Sequence, residues 1–255
     1  MVFEKSDPSA RPRFFEWEAA GLDWLRAAEA AGGARCVEVV SVEPGRIALE
    51  RIRPVRPTAE AARAFGRALS RTHSAGAPAF GAPPEGWSGP AYIGRRSMPC
   101  DPVGSWGRFY AEQRVRPFLE PAIAAGSLRP REAQRVEEAL ALVADGAFDD
   151  DQPAARLHGD LWTGNVLWSA DGAVLIDPAA HGGYRETDLA MLVLFGAPHL
   201  DAILTGYQEE HPLLPGWWER VALHQLHPLA VHAAGHGPSY GRALAEAAES
   251  VLDLV

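Results

Sequence analysis

The sequence predicts an α+β fold in which a small front part, residues 1–54, holds strands and one helix, and a larger body, residues 55–255, is mainly helical. Two short strand-like runs surround the turn residues Glu43-Pro44-Gly45, and a second pair of apolar runs surrounds Asp171-Gly172. Elsewhere, apolar residues recur at helical spacing. The chain has 255 residues, of which 47% are hydrophobic and 22% charged, so it has ample material for a buried core.

The front part is predicted to alternate between strands and a helix. Its predicted elements are a strand at 1–5, a helix at 14–31, strands at 36–42 and 46–52, and a linker at 53–57. The helix is predicted because Phe14, Leu22 and Leu25 fall on one side of it. The linker is predicted because its prolines disfavour helix in the residues before them.

The body is predicted to be built from helices that pack around one hairpin. The predicted helices lie at 58–73, 103–125 and 130–144, with several more after Asp188. Thr58 is a suitable N-cap for the first of them. Residues 74–105 are rich in glycine and proline, and we expect them to run over the surface.

Composition excludes several function classes. Lys and Arg number 24 against 33 Asp and Glu, a net charge of −9, which argues against nucleic acid as a partner. No apolar run reaches the ~18 residues of a membrane span, and residues 1–5 lack the basic and apolar segments of a signal peptide, so we expect none. Two cysteines are too few for a disulfide framework. We expect a cytoplasmic protein that acts at no membrane, as a monomer or weak dimer.

Lysine usage singles out one position. Lys5 is the only lysine beside 23 arginines, which indicates a composition that favours arginine wherever either residue serves. Lys5 is then either retained by chance near a chain end or needed as a compact ammonium that a guanidinium fork cannot replace. Glu18 lies on the apolar side of the helix at 14–31, where a carboxylate needs a cationic partner unless it reaches water at the edge. Lys5 is the candidate partner.

The stretch from Leu157 to Pro178 carries the strongest chemical signal. If Asp171-Gly172 is a two-residue turn, Val166 lies opposite Asp177, which makes Asn165 a diagonal neighbour of Asp177. These two side chains supply the hard oxygen ligands that suit Mg²⁺ bound with phosphate. Asp160 lies five residues before Asn165 in the loop that feeds the hairpin. The arrangement predicts phosphoryl transfer from ATP, with Asp160 as the base that takes the proton of the attacking hydroxyl.

The sequence resembles the fructosamine kinase (ketosamine 3-kinase) family over almost the whole chain. The matching stretches are V-F-E-K at 2–5, F-E-W-E-A-A-G-L at 15–22, Y-I-G at 92–94, H-G-D-L-W-T-G-N at 158–165, and I-D-P-A-A-H-G-G-Y-R-E-T-D-L-A-M at 176–191. The resemblance implies a protein-kinase-like two-lobe fold with a helical C-lobe. It also implies ATP-dependent phosphorylation of a sugar hydroxyl of a ketosamine, free or protein-bound, as a deglycation repair step.

The resemblance assigns roles to individual residues. Asp160 would be the catalytic base, Asn165 and Asp177 the magnesium ligands, and Lys5 with Glu18 the ion pair at the phosphates. Two assignments rest on the resemblance alone: Glu50 where the hinge backbone meets adenine, and Asp188 as a buried acceptor for the backbone of the catalytic loop.

Two further residues have both a functional and a structural interpretation. Trp162 is expected to line the sugar pocket, because an aromatic face suits the apolar side of a ring, although a core or lid role is open. His158 is expected to be a packed structural histidine.

The sequence departs from the family pattern at the start of the chain. In the family, two strands joined by a glycine-rich turn precede the V-F-x-K strand, so we expect a truncated N-lobe here. Two other functions therefore stay open. One is a different small-molecule kinase, of the aminoglycoside or choline phosphotransferase type, and the other is a nucleotide-binding protein with impaired catalysis.

Overall fold

A computed structural model describes residues 2–255 of the protein, and its front part is a three-stranded antiparallel sheet with one helix. The elements in chain order are β1 (Val2–Ser6), α1 (Phe14–Arg26), β2 (Val39–Glu43) and β3 (Arg46–Glu50). The strand order is β1-β3-β2, and Lys5 of β1 lies opposite Ile47 of β3. The sheet presents Lys5 towards α1.

Two boundaries of the front part differ from the prediction. The helix expected over 14–31 ends at Arg26, and a separate 3-10 turn covers Glu29–Ala31, because the chain reverses at Gly32, where φ is 80°. The strand expected at 36–42 begins only at Val39. The residues before it pair elsewhere, since the Val37 amide donates to the Leu175 carbonyl over 2.9 Å.

The body contains helices and short strand pairs. Its elements are α2 (Ala59–Ser74), β4 (Tyr92–Ile93), β5 (Arg96–Ser97), α3 (Trp106–Phe109), α4 (Arg116–Ala124), α5 (Pro130–Ala144), β6 (Ala155–Leu157), β7 (Val166–Ser169), β8 (Gly172–Leu175), β9 (His181–Gly183), α6 (Arg185–Leu194), α7 (Leu200–Glu210), α8 (Val221–Ala233) and α9 (Pro238–Leu252). The predicted cap is present, since the Ala61 amide donates to Thr58 Oγ1 over 3.1 Å. Within residues 2–255, no helix is both long enough and apolar enough to cross a bilayer.

The glycine- and proline-rich segment 74–105 runs over the surface only in part, and the prediction was wrong for its buried residues. Phe80, Tyr92, Ile93 and Met98 are buried in the core of the body. Backbone bonds also tie the segment to β9, because the Gly81 amide donates to a carbonyl of that strand over 2.8 Å. The few apolar side chains outweigh the turn-forming composition because their burial removes them from water.

The helix predicted at 103–125 is shorter and interrupted. It begins at Trp106, and a π-helical turn over Tyr110–Val115 separates α3 from α4. Pro117 follows that turn and has no N–H, so one regular helical bond cannot form at the junction.

The β7–β8 hairpin forms, but its predicted register was wrong. Ser169 pairs with Gly172 and Val166 pairs with Leu175, so Val166 does not lie opposite Asp177. In this hairpin, the residue with positive φ is Gly172, at 114°, which follows the connecting residues Ala170 and Asp171. This geometry is typical of a tight turn followed by a glycine, and it displaces the pairing by two residues.

Helices α2 and α7 pack at unusually close range. A Cβ on Gly66 would lie 2.0 Å from the Ile203 carbonyl oxygen, and one on Gly206 would lie 2.0 Å from the Arg63 carbonyl oxygen. Only glycine permits this approach on both helices. The contact brings the C-terminal part of α2 against the side chains of α7, close to the first turn of α6.

Candidate active site

The loop that follows β6 carries Asp160 and depends on a glycine. Gly159 has a φ of +79°, and a Cβ there would lie 2.2 Å from the Ala179 carbonyl oxygen. The Asp160 amide donates to His158 Nδ1 over 3.2 Å, so His158 Nε2 holds the ring proton and donates to the Ile176 carbonyl over 2.9 Å. Burial lowers the pKa of His158 and keeps the ring neutral. His158 therefore connects the loop to the end of the hairpin, as the packed histidine that the sequence predicts.

Asp188, in the first turn of α6, holds the same loop from behind. Its side chain is 1% exposed and accepts the His158 amide at 2.7 Å and the Gly159 amide at 3.0 Å. His73 Nε2 lies 3.1 Å from the same carboxylate. Burial opposes the charge, but the bonds from His73 and the loop outweigh it and lower the pKa of Asp188. Asp188 is thus an ionised anchor for the loop backbone.

Asp160 has a strongly perturbed acidity. Burial raises the pKa of its carboxyl to about 7, against a hydrogen bond from Asn165 that acts in the opposite direction. The negative charges of Asp177 and Asp188 raise the pKa further. A carboxyl with this pKa takes up and releases a proton near neutral pH, as general base chemistry requires.

Asn165 and Asp177 lie on either side of the hairpin and face the same space. Asn165 Nδ2 donates to the Asp160 carbonyl over 2.8 Å, to Asp160 Oδ2 over 3.2 Å and to the Asp177 carbonyl over 3.4 Å. These bonds use only the amide nitrogen, so Oδ1 is left for a cation. Asp177 has a φ of 54°, unusual for a residue with a side chain, and its carboxylate is 41% exposed. The juxtaposition that the sequence predicts is present despite the different register.

Lys5 joins the front sheet to this group. Its ammonium donates to Glu18 Oε1 over 2.8 Å and also to Asp177 Oδ1. Burial would lower the pKa of Lys5, but the two carboxylates outweigh it and raise the pKa above its ordinary value. Burial raises the pKa of Glu18, and the Lys5 charge offsets part of that effect. The ion pair expected between Lys5 and Glu18 therefore exists, with Asp177 as a third member.

These groups open into one cleft of about 670 Å³ between the front sheet and the body. The predicted residues on its lining are Lys5, Glu18, Asp160, Trp162, Asn165 and Asp177. Glu50 does not belong to this lining, because its carboxylate faces Arg35, with Nη2 at 2.6 Å from Oε1. Asp188 and His158 lie behind the lining, where they support the loop.

Trp162 presents its indole to the cleft. The ring covers Gly164, where a Cβ would lie 2.2 Å from the ring, and its edge meets Phe195 at a centroid distance of 6.1 Å. The residue is 39% exposed, so one aromatic surface is accessible to a ligand.

The opposite wall of the cleft contains residues to which the sequence assigned no role. Tyr92 donates its hydroxyl to the Pro12 carbonyl over 2.8 Å, and Arg11 Nη1 lies 2.5 Å from Ser97 Oγ. Arg11, Tyr92 and Arg95 all line the cleft. Tyr92 belongs to the stretch Y-I-G, whose resemblance to the family was a signal that could have indicated a role for it. No local sequence pattern distinguishes the two arginines from the other surface arginines.

Comparisons with known proteins find relatives along nearly the whole chain. A family model described as fructosamine kinase matches residues 1–254. A relative from Enterococcus faecium, named as a ketoamine kinase, is 30% identical over 240 residues, which are 94% of this chain and 83% of the relative. A solved structure from Thermobifida fusca, named as a fructosamine-3-kinase, is 44% identical with a TM-score of 0.91, over 99% of this chain and 85% of that one.

A more distant structure bears on the fold alone. The aminoglycoside phosphotransferase APH(4)-Ia is 13% identical, with a TM-score of 0.59 over 99% of this chain and 85% of that one. Together with the Thermobifida fusca structure, it confirms the prediction of a kinase-like α+β fold.

Proposed function

Because the chain belongs to the fructosamine kinase family and is a kinase, we propose that it transfers the γ-phosphoryl group of ATP, with Mg²⁺, to a sugar hydroxyl of a ketosamine. Such a transfer would serve as a deglycation repair step. One observation carries the proposal: the Asp160 carboxyl, the side chains of Asn165 and Asp177, and the Lys5–Glu18 ion pair converge on one cleft.

The donor set of the cleft fits a magnesium ion. Asn165 Oδ1 and the Asp177 carboxylate are hard oxygen ligands, and the Asp177 carboxylate already contacts one cationic group, the Lys5 ammonium. Among residues 2–255, no group of three His, Cys, Asp or Glu side chains is arranged to hold a metal, so water and phosphate oxygens would complete the shell. When bound, Mg²⁺ would neutralise charge on the phosphate oxygens.

The remaining residues have defined tasks in this proposal. Asp160 accepts a hydrogen bond from the sugar hydroxyl and takes its proton, a role for which a pKa of about 7 is suitable. Lys5, held by Glu18, donates to phosphate oxygens as a fixed ammonium. Trp162 covers the apolar side of the sugar ring. For Glu50, only the backbone at the end of β3 is proposed to meet the adenine.

The test measures ADP release from ATP and Mg²⁺ with ribulosyl-lysine, for the unaltered chain and for Asp160→Asn. We expect the substitution to reduce turnover about 10²- to 10⁴-fold, the usual contribution of a general base. Asp171→Asn is the matched control, because Asp171 is an exposed aspartate in the turn of the same hairpin.

Each alternative function predicts a different result. Ketosamine-dependent ADP release that survives in Asp160→Asn would refute the base assignment. Release with choline or an aminoglycoside, and none with ribulosyl-lysine or fructosyl-lysine, would replace the ketosamine with another substrate class. No release with any of them would favour a nucleotide-binding protein with impaired catalysis.

A further inference from the structure

A row of polar side chains, buried at His73 and Tyr207 and half-buried at Arg185, stands behind Asp188, on the side away from the cleft. His73 at the end of α2 contacts the Asp188 carboxylate through Nε2, at 3.1 Å. Its other ring nitrogen, Nδ1, lies 2.8 Å from the hydroxyl of Tyr207 in α7. Arg185 Nη1, in the first turn of α6, lies 3.0 Å from the same hydroxyl. Three helices therefore contribute one connected row of hydrogen bonds that ends at the catalytic loop.

The direction of every bond in the row follows from its two ends. Asp188 is an ionised acceptor that already takes two backbone N–H groups, so His73 Nε2 must hold a proton to face it. Burial lowers the pKa of His73, which leaves the ring neutral and makes Nδ1 an acceptor. The Tyr207 hydroxyl must then donate to Nδ1. Its oxygen accepts from Arg185, which can only donate.

Packing leaves these groups little freedom to rearrange. His73 and Tyr207 are both 0% exposed, and their rings meet edge to face at a centroid distance of 5.5 Å. The close approach of α2 and α7 at Gly66 and Gly206 fixes the spacing between the two helices. His73 and Tyr207 have no water-accessible surface, so water cannot replace the bond between them unless side chains move, because protein interiors are close-packed.

We propose that Arg185, Tyr207 and His73 form a polarised hydrogen-bond relay that fixes Asp188 and, through the amides of His158 and Gly159, sets the position of Asp160. The three residues are positioning residues, since none of them lines the cleft. In the R-E-T-D segment at 185–188, the first residue donates to Tyr207 at the outer end of the relay, and the last residue accepts the loop amides at its inner end. It rests on the proposed function for its effect on catalysis, but not for its hydrogen-bond pattern.

The first test reads the proton positions directly. In protein labelled with ¹⁵N at histidine, the ring resonances of His73, identified by their loss in His73→Gln, report which nitrogen is protonated. We expect the proton on Nε2, an Nδ1 that accepts a hydrogen bond, and loss of that bond in Tyr207→Phe with shifts at the backbone amides of His158 and Gly159. A proton on Nδ1 overturns the relay, and so do unchanged loop amides in Tyr207→Phe.

The second test separates positioning from general stability. Tyr110→Phe is a matched control, because Tyr110 is equally buried and its hydroxyl bonds to backbone groups of α8, including the Leu223 carbonyl at 2.9 Å. We expect Tyr207→Phe to lower kcat about 10- to 100-fold with KM for ATP and ketosamine within about twofold, and Tyr110→Phe to change kcat less than about twofold. Equal effects on kcat would overturn the proposal. If the unaltered chain shows no turnover, the proposed function fails, and the ring and amide resonances alone decide the relay.

Discussion

Replacing Asp160 with asparagine should stabilise the ligand-free protein, and the gain should depend on pH. Burial holds the pKa of Asp160 at about 7, against 3.8 for a free side chain. Below the lower value both states are protonated and the carboxyl contributes nothing. As pH rises from there to about 7, the unfolded chain releases a proton that the folded protein keeps, so stability is lost progressively and the loss is complete above the folded pKa.

The size of the effect follows from that difference. About three pKa units at 1.36 kcal/mol each give an upper limit of about 4 kcal/mol, and we expect about half, near 2 kcal/mol, because the cleft is open to solvent. Asparagine avoids this cost and can still accept the bond from Asn165.

The assay is denaturant unfolding with chelator and without nucleotide, at about pH 5 and about pH 8. The gain in unfolding free energy of Asp160→Asn over the unaltered chain should be larger by about 1–2 kcal/mol at the higher pH. The matched control, Asp171→Asn, should alter the free energy of unfolding by less than about 0.5 kcal/mol at both pH values, because Asp171 is exposed. A gain for Asp160→Asn that is equal at both pH values would refute a carboxyl titrating near neutral pH.

Two further predictions concern backbone and thiols. Gly159→Ala should lower the free energy of unfolding by about 3 kcal/mol in the same assay, because it combines a left-handed φ with a Cβ 2.2 Å from a carbonyl oxygen. The control Gly104→Ala places its Cβ in open space and should change the free energy of unfolding by less than about 1 kcal/mol. Similar changes in the two variants would contradict the close contact at Gly159. A thiolate-directed reagent at about pH 8 should leave Cys36 unlabelled in the native protein and label it after denaturation, because Cys36 is buried and burial raises the pKa of its thiol, whereas Cys100 is only half-buried. Rapid native labelling of Cys36, counted by mass spectrometry, would show that it is not buried.

The parts of the site that could be predicted from sequence are those with signals of short range or unusual composition. Asp160 and Asn165 are five residues apart in one loop, and the following hairpin returns the chain to Asp177, so their convergence needs no knowledge of the rest of the fold. The ion pair of Lys5 and Glu18 could be predicted because the single lysine and a carboxylate on an apolar helix face each needed a partner. The roles of all five in phosphoryl transfer remain a proposal.

The parts that could not be predicted depend on distant contacts or on small conformational differences. The hairpin register was wrong because Gly172 takes the positive φ after the turn, and Asp171-Gly172 alone does not distinguish the two geometries. Segment 74–105 looked like a surface loop because its buried side chains are isolated among glycines and prolines. The relay through His73 and Tyr207 joins residues 134 positions apart, and no local pattern in either helix indicates it.

The chemistry proposed for Asp160 and the instability predicted for it have one physical origin. A base that works near neutral pH needs a raised pKa, and here burial raises it by disfavouring the charged carboxylate. The same desolvation penalises the folded state whenever that carboxylate is ionised. The loop must therefore be held by groups that do not depend on Asp160 itself, and Asp188, with its two backbone bonds at 2.7 and 3.0 Å, supplies that hold from a fully buried position. Removing the Asp188 carboxylate should consequently lower both stability and turnover, whereas removing the Asp160 carboxylate should lower turnover and raise stability.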